Sequence, residues 1–171
     1  MLQNLVLEML QNKSKPIFFV DAMLGNIAKK LRLFGYDSEY SSDINDNDLI
    51  MRLKNENRIL ITKDTLLSKI AQKEKISVIQ VTKNTEMEQL IQIFKILKLS
   101  EIVVNGNNAR CTECNGELKI THKDLVLKQV PKGVIEKIDE FWRCTNCDKV
   151  YWEGTHIEKL KKFVVELNGK I

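Results

Sequence analysis

The sequence has no long apolar run, so no segment suggests a membrane span. Its balance of 43% hydrophobic to 29% charged residues is that of a soluble globular protein. The first residues do not read as a secretory signal either. Leu2, Leu5, Val6, Met9 and Leu10 fall at helical spacing, but Glu8 and Gln11 interrupt the run and no basic stretch precedes it. A short amphipathic helix in a cytoplasmic protein is therefore expected. There is no G-x-x-x-x-G-K-[ST] loop and no G-x-G-x-x-G turn, which argues against nucleotide-driven motors and dehydrogenases. Charge of one sign is also scarce. The formal net charge is +4, and four cysteines holding one Zn²⁺ as thiolates would lower it by two, so a footprint for an anionic partner has to be local.

The first stretch that organises the chain runs from Phe18 to Asp37. The apolar run Ile17 to Val20 reads as a strand buried on both faces, and at Asp21 the pattern changes to a helical period with Met23, Ile27, Leu31 and Phe34 on one side. Asp21 thus sits where a strand hands over to a helix, a position that faces the ligand crevice in an open α/β sheet. It can serve there as a helix cap or as a ligand for a cation. Gly35 follows as a C-cap, and Tyr36 to Tyr40 is a second strand.

The acid-rich run Ser41 to Asp48 opens a helix carrying Leu49, Ile50 and Leu53, where its acids suit the helix dipole. The Asp46-x-Asp48 pair does not follow a strand, which weakens a reading as an aspartyl nucleophile of a phosphatase. Arg58 to Thr62 is a third strand, followed at once by Lys63-Asp64 and a helix with Leu66, Leu67 and Ile70 on its apolar side. Ile76 to Val81 is a fourth strand, and Thr85 to Leu99 a helix with Met87, Leu90, Ile91, Phe94 and Leu97 facing inward. Four β-then-α units predict a parallel sheet in the order 2-1-3-4 with helices on both faces. Asp21 and Asp64 then lie side by side at the switch point, where two carboxylates repel unless a cation or proton sits between them. An acid from the 43–48 run would complete a cluster suited to Mg²⁺ or Mn²⁺.

From Asn105 to Asn108 the composition changes to a polar linker. The expected division is therefore an α/β unit over 1–104 and a second unit over 105–171. Cys111-x-x-Cys114 and Cys144-x-x-Cys147 are the only cysteines. Two such turns give the Cys₄ set of a coordinatively closed structural zinc site; two disulfides or a redox pair are the alternatives, which a cytoplasmic chain disfavours. His122 and His156 read as surface residues, since four sulfurs already satisfy the metal. Phe141, Trp142, Tyr151 and Trp152 flank the second pair as covering core or as base-stacking surfaces. The tail from Thr155 places Ile157, Leu160, Val164 and Leu167 on one helix face that docks back onto the first unit.

Taken together, D-A-M-L-G-x-I-A-K-K-L-R-x-x-G-Y-D, D-x-D-L-I, R-I-L-I-T-K-D and F-W-R-C-x-x-C-x-x-V-Y-W-E-G-T-H resemble the Mut-seven C-terminal RNase family, a PIN-like (Rossmann-like) nuclease domain followed by a zinc ribbon. The resemblance implies Mg²⁺- or Mn²⁺-dependent, endonucleolytic cleavage of single-stranded or structured RNA, with zinc as a structural metal and room for a protein partner. Asp21, Asp46 and Asp64 match the family's acids, with Asp43 and Asp48 as auxiliaries. Lys29 and Arg32 match its basic pair for the phosphodiester backbone. Lys63 stands where the family pattern suggests Arg, so a point charge replaces a bidentate fork. The competing class is a non-catalytic RNA-binding or protein-docking module of the same fold; a partner-controlled nuclease is a third.

Overall fold

The computed structural model describes residues 2–12, 14–99 and 101–171, and the expected apolar contacts of Met9 and Leu10 fall outside the described side chains. The elements in order are α1 (Leu2–Asn12), β1 (Phe18–Val20), a 3₁₀ turn (Ala22–Leu24), α2 (Gly25–Leu33), β2 (Ser38–Tyr40), α3 (Asp46–Glu56), β3 (Ile59–Thr62), α4 (Thr65–Lys73), β4 (Val78–Gln80) and α5 (Glu86–Leu97). The second half adds β5 (Leu118–Thr121), a 3₁₀ turn (Lys123–Leu125), α6 (Lys132–Ile135), β6 (Phe141–Cys144), β7 (Val150–Trp152) and α7 (Thr155–Asn168).

The first four strands form a parallel sheet in the order β2-β1-β3-β4, as the repeated β-then-α pattern predicts. Alternate side chains then serve opposite faces. Phe18, Val20, Ile59, Ile61 and Ile79 point to the face covered by α1, α2, α5 and α7, while Phe19, Leu60 and Val78 point to α3 and α4. Both faces are buried, which is why these strands read as unbroken apolar runs. α7 belongs to the first of these cores: Leu160, Val164 and Leu167 pack with Leu90, Phe94 and Leu97 of α5. The second sheet, β5-β6-β7, is antiparallel, and Phe141 and Val150 pack with Val126 and Val130 in a small core of their own.

Local signals set the helix ends. α5 begins at a capping box in which Thr85 and Glu88 satisfy each other's backbone N–H. α2 ends in a Schellman motif: the Tyr36 N–H returns to Leu31 O and the Gly35 N–H to Arg32 O. Gly35 holds φ +83°, and a Cβ there would stand 2.5 Å from Asn108 O, so both the turn and the passing linker require glycine.

Two apolar positions depart from expectation. Met23 is 72% exposed, because the chain makes a 3₁₀ turn after Asp21 and the phase of α2 begins only at Gly25; Leu24 takes the buried place. Leu66 is 67% exposed, because α4 starts at Thr65 and turns Leu67 inward instead.

Candidate active site and metal centre

Asp21 follows the last residue of β1 and Asp64 lies two residues past the end of β3, its immediate neighbour in the sheet. Parallel strands end together, so the two acids share the C-terminal edge at the switch point. Their environments differ. Asp21 makes no side-chain cap for the turn that follows it; its Oδ2 accepts from the Thr62 hydroxyl at 2.7 Å. Thr62 is fully buried, and its Oγ1 also accepts the Asp64 N–H at 2.9 Å. One hydroxyl therefore ties the carboxylate of one acid to the backbone of the other. Asp64 Oδ1 caps α4, accepting from the N–H groups of Leu66 at 2.7 Å and Leu67 at 3.0 Å. Asp21 Oδ1 and Asp64 Oδ2 have no hydrogen-bond partner among the described residues. Thr62 was missed in the sequence, where it reads as the end of an apolar strand; its only signal is a lone polar residue at that point.

The acidic run behaves otherwise. Asn45, not an acid, caps α3, accepting from the Asp48 N–H at 3.0 Å and donating through Nδ2 to Asp48 Oδ2 at 2.7 Å. Asp43 accepts from the Ser42 hydroxyl at 3.0 Å. Asp46 is exposed in the first turn of α3, at the same edge of the sheet. Among the described residues, the four cysteines are the one set of three or more metal-binding side chains whose ligand atoms lie within 4.8 Å of one another. Asp21, Asp46 and Asp64 do not close to that spacing. Lys63, beside Asp64, lines a polar crevice of about 480 Å³ with Asn26 and Asn84.

The basic pair needs correction. Lys29 is exposed, but Arg32 is only 4% exposed. Its Nε donates to Ser38 O at 2.8 Å, and its Nη1 to Thr112 O at 2.7 Å and Glu113 O at 3.2 Å. Burial lowers its pKa, and the charges of Glu39, Cys111, Cys114 and Glu113 oppose that shift. The guanidinium thus fastens α2 to the first cysteine turn and is not presented to a phosphodiester. Asp37 continues the joint. It accepts from Arg58 Nη1 at 2.5 Å, Asn115 Nδ2 at 2.9 Å and Arg110 Nη2 at 3.2 Å. Burial would raise the Asp37 carboxyl, but the Arg58 and Asn115 hydrogen bonds and the Arg58 and Arg110 charges hold it below its ordinary value.

The two cysteine turns are built alike. The residue after each second cysteine, Asn115 at φ 64° and Asp148 at φ 60°, adopts the left-handed conformation that Asn and Asp tolerate. Its N–H returns to the carbonyl of the first cysteine, Cys111 or Cys144. Tyr151 seals the site, its hydroxyl 3.1 Å from Cys111 Sγ and accepting the Thr112 N–H at 3.0 Å. The donor set fits Zn²⁺: four soft sulfurs around one point, with no open ligand position. Without a cation they could not all ionise. Burial raises the Cys111 thiol, but hydrogen bonds led by Tyr151 bring it down to about 6, while Cys114 is pushed up to about 12 by burial and by its neighbouring thiols. His122 and His156 are both exposed and outside the set. Phe141 and Trp142 are both buried: Phe141 belongs to the core of the second sheet, while Trp142, on the other face of β6, lies against Gly106 of the linker and donates its indole N–H to Asn107 Oδ1 at 2.9 Å.

A parallel four-stranded sheet flanked by helices, joined to a Cys₄ cluster, makes this an α/β protein with a zinc-ribbon-like appendage. The family model described as the Mut7-C RNAse domain matches residues 16–164, nearly the whole chain, and the protein belongs to that ribonuclease family. No curated protein and no solved structure matches it. No helix among the described residues is long and apolar enough to cross a membrane.

Proposed function

We propose that the protein is a Mg²⁺- or Mn²⁺-dependent endoribonuclease whose reaction centre is Asp21 and Asp64, with Asp46 as the third carboxylate and a structural zinc at Cys111, Cys114, Cys144 and Cys147. The observation that carries this reading is the Asp21–Thr62–Asp64 linkage at the switch point of a chain in a ribonuclease family. Each of the two acids has one oxygen oriented by the protein and one left over. That suits a hard cation that takes one or two carboxylates and keeps several waters, so three carboxylates need not converge within direct ligation distance. When bound, such an ion lowers the pKa of a coordinated water and neutralises charge that develops on the phosphate.

The chain's own residues do the positioning. Thr62 holds the Asp21 carboxylate in one rotamer through its hydroxyl, and the first turn of α4 holds that of Asp64. Both are oriented before substrate arrives, which removes reorganisation from the reaction. Lys63 supplies positive charge beside Asp64 for a phosphate oxygen. No side chain is needed as a covalent nucleophile.

The test is cleavage of labelled single-stranded RNA with Mn²⁺ by the wild type, Asp21→Asn and Asp64→Asn, with RNA binding measured in parallel. Cleavage falls by several orders of magnitude in both variants, while metal-free affinity holds steady or rises, since a charge that repels phosphate is gone. Equal cleavage by all three proteins would defeat the reading and leave a non-catalytic RNA-binding module.

A further inference from the structure

The acids stand at one end of the parallel sheet, and a cleft of about 590 Å³ opens at the other. It lies between the second sheet and the start of α7, and it is closed by Leu33 at the far end of α2. The nine residues of α2 lead away from the acid edge over about 13 Å. The floor is apolar, formed by Val134, Ile138, Val150 and Ile157, and Trp152, on the same face of β7 as Val150, makes an aromatic wall with Tyr151 at its edge.

The lip is of another character. Lys137, Lys149 and His156 line it and no acid does. Lys149 stands 5.8 Å over the Tyr151 ring and pairs with Glu113 outside the lining. The Trp152 indole N–H, beside Gly154, has no acceptor among the described residues. α7 begins here too. Its N-cap, Gly154, offers no side chain, and Ile157 and Glu158 donate back to Gly154 O, so the Thr155 and His156 N–H groups have no partner within the helix. A 14-residue helix thus turns its positive end into a cleft already ringed by basic side chains.

We propose that this cleft binds one nucleotide unit of single-stranded RNA, the base against Trp152 over the apolar floor and its phosphate at Lys137 and the start of α7. The inference rests on RNA being the family's substrate class. An apolar peptide would satisfy the floor but leave the indole N–H, the two backbone N–H groups and the lysines unanswered. A nucleotide satisfies both parts: an aromatic wall accepts any base, and the donors match a phosphate. The cleft and the acids lie at opposite ends of the sheet, so an RNA held here is anchored away from where it would be cut.

The experiment measures binding by the full zinc-loaded chain carrying Asp64→Asn, using a labelled oligouridylate of about 20 nucleotides and an abasic strand of the same length. Trp152→Ala is expected to weaken binding of the oligouridylate about tenfold and to remove its advantage over the abasic strand, with Trp152→Phe retaining most of both. Lys137→Gln, at an exposed position away from the ribbon core, reduces the salt slope by about 0.7. Zinc content, measured on each variant, shows that the Cys₄ centre is intact. Unchanged affinity and slope in zinc-replete variants overturn the proposal and leave the cleft to a protein partner. Because the readout is binding in a cleavage-blocked protein, failure of the cleft leaves wild-type cleavage standing, and failure of cleavage leaves the cleft standing. No binding of RNA by the Asp64→Asn protein itself would overturn both.

Discussion

The two ends of the parallel sheet are built in opposite ways. At the N-terminal ends of the strands, Arg32, Asp37, Arg58, Arg110 and Asn115 join α2, β2 and β3 to the first cysteine turn through a network in which one guanidinium reaches three carbonyls and one carboxylate accepts from three side chains. At the C-terminal ends, Asp21 and Asp64 are each tied by one oxygen and Asp46 is exposed. A satisfied, half-buried network favours one arrangement and leaves nothing for a ligand. Carboxylates with unused oxygens stabilise the fold less and remain available. The difference separates the end that assembles the protein from the end proposed to act, and it explains how a basic residue in the family motif can be wholly structural while each of its paired acids keeps an oxygen unused.

The largest expected effect is on the assembled end. Cys144→Ser removes one of four zinc ligands, and since folding of such a unit is coupled to metal binding worth on the order of 10 kcal/mol, the second sheet unfolds. Metal analysis and near-ultraviolet circular dichroism read this directly, and a variant that keeps both its zinc and its Trp142 signal would contradict the assignment.

Next is Arg32→Ala, which strands three carbonyls of the joint and should cost about 2–4 kcal/mol, seen as a lower midpoint in urea and faster zinc loss to a chelator. Its salt slope for RNA binding should be that of the wild type. A slope reduced by about 0.7 would instead return Arg32 to the phosphate backbone and blur the contrast between the two ends. Lys29→Ala, at an exposed position, is the control for that measurement.

A subtler effect depends on pH. The Asp37 carboxyl is held below its ordinary value in the folded protein, so it binds a proton less readily folded than unfolded. Its contribution is fully present above the unfolded value near 3.9 and is lost as pH falls through the lower folded value. The stability difference between the wild type and Asp37→Asn should therefore be constant above about pH 5 and close as the solution is acidified below about pH 4. A gap that widens on acidification would show that the carboxylate does not anchor the joint.

The smallest effect is expected beside the acids. Met23→Ser and Leu66→Ser change exposed side chains and should alter stability by no more than about 0.5 kcal/mol. A loss of about 2 kcal/mol in either would mean that these residues pack in solution, and that the acid edge is less open than its counterpart.

Much of this architecture was legible in the residues. Apolar runs bounded by helical periods define the four parallel units, because strands buried on both faces carry no polar alternation to obscure them. The paired C-x-x-C turns announce a Cys₄ cluster that suits zinc, because tetrahedral sulfur ligation needs that spacing and little else. Asp21 and Asp64 could be placed at a common edge from strand order alone, since consecutive β-then-α units wind with one hand. Their metal and its reaction stay with the proposal.

Other features were decided only by the tertiary structure. Arg32 looks like half of a basic helix face until a turn 80 residues away brings the Thr112 carbonyl to its guanidinium, a contact no local pattern encodes. Thr62 reads as the end of a strand, and only the parallel register of β1 with β3 brings its hydroxyl to Asp21. Tyr151 lies 40 residues from Cys111 along the chain and meets it only in the folded second unit, and the cleft beside it takes its lining from α6, β7 and the start of α7 together. Periodicity and ligand spacing are properties of neighbouring residues and can be read along the chain. The partner of a buried charge or hydroxyl is chosen by whichever distant backbone arrives to satisfy it, and that is settled in three dimensions.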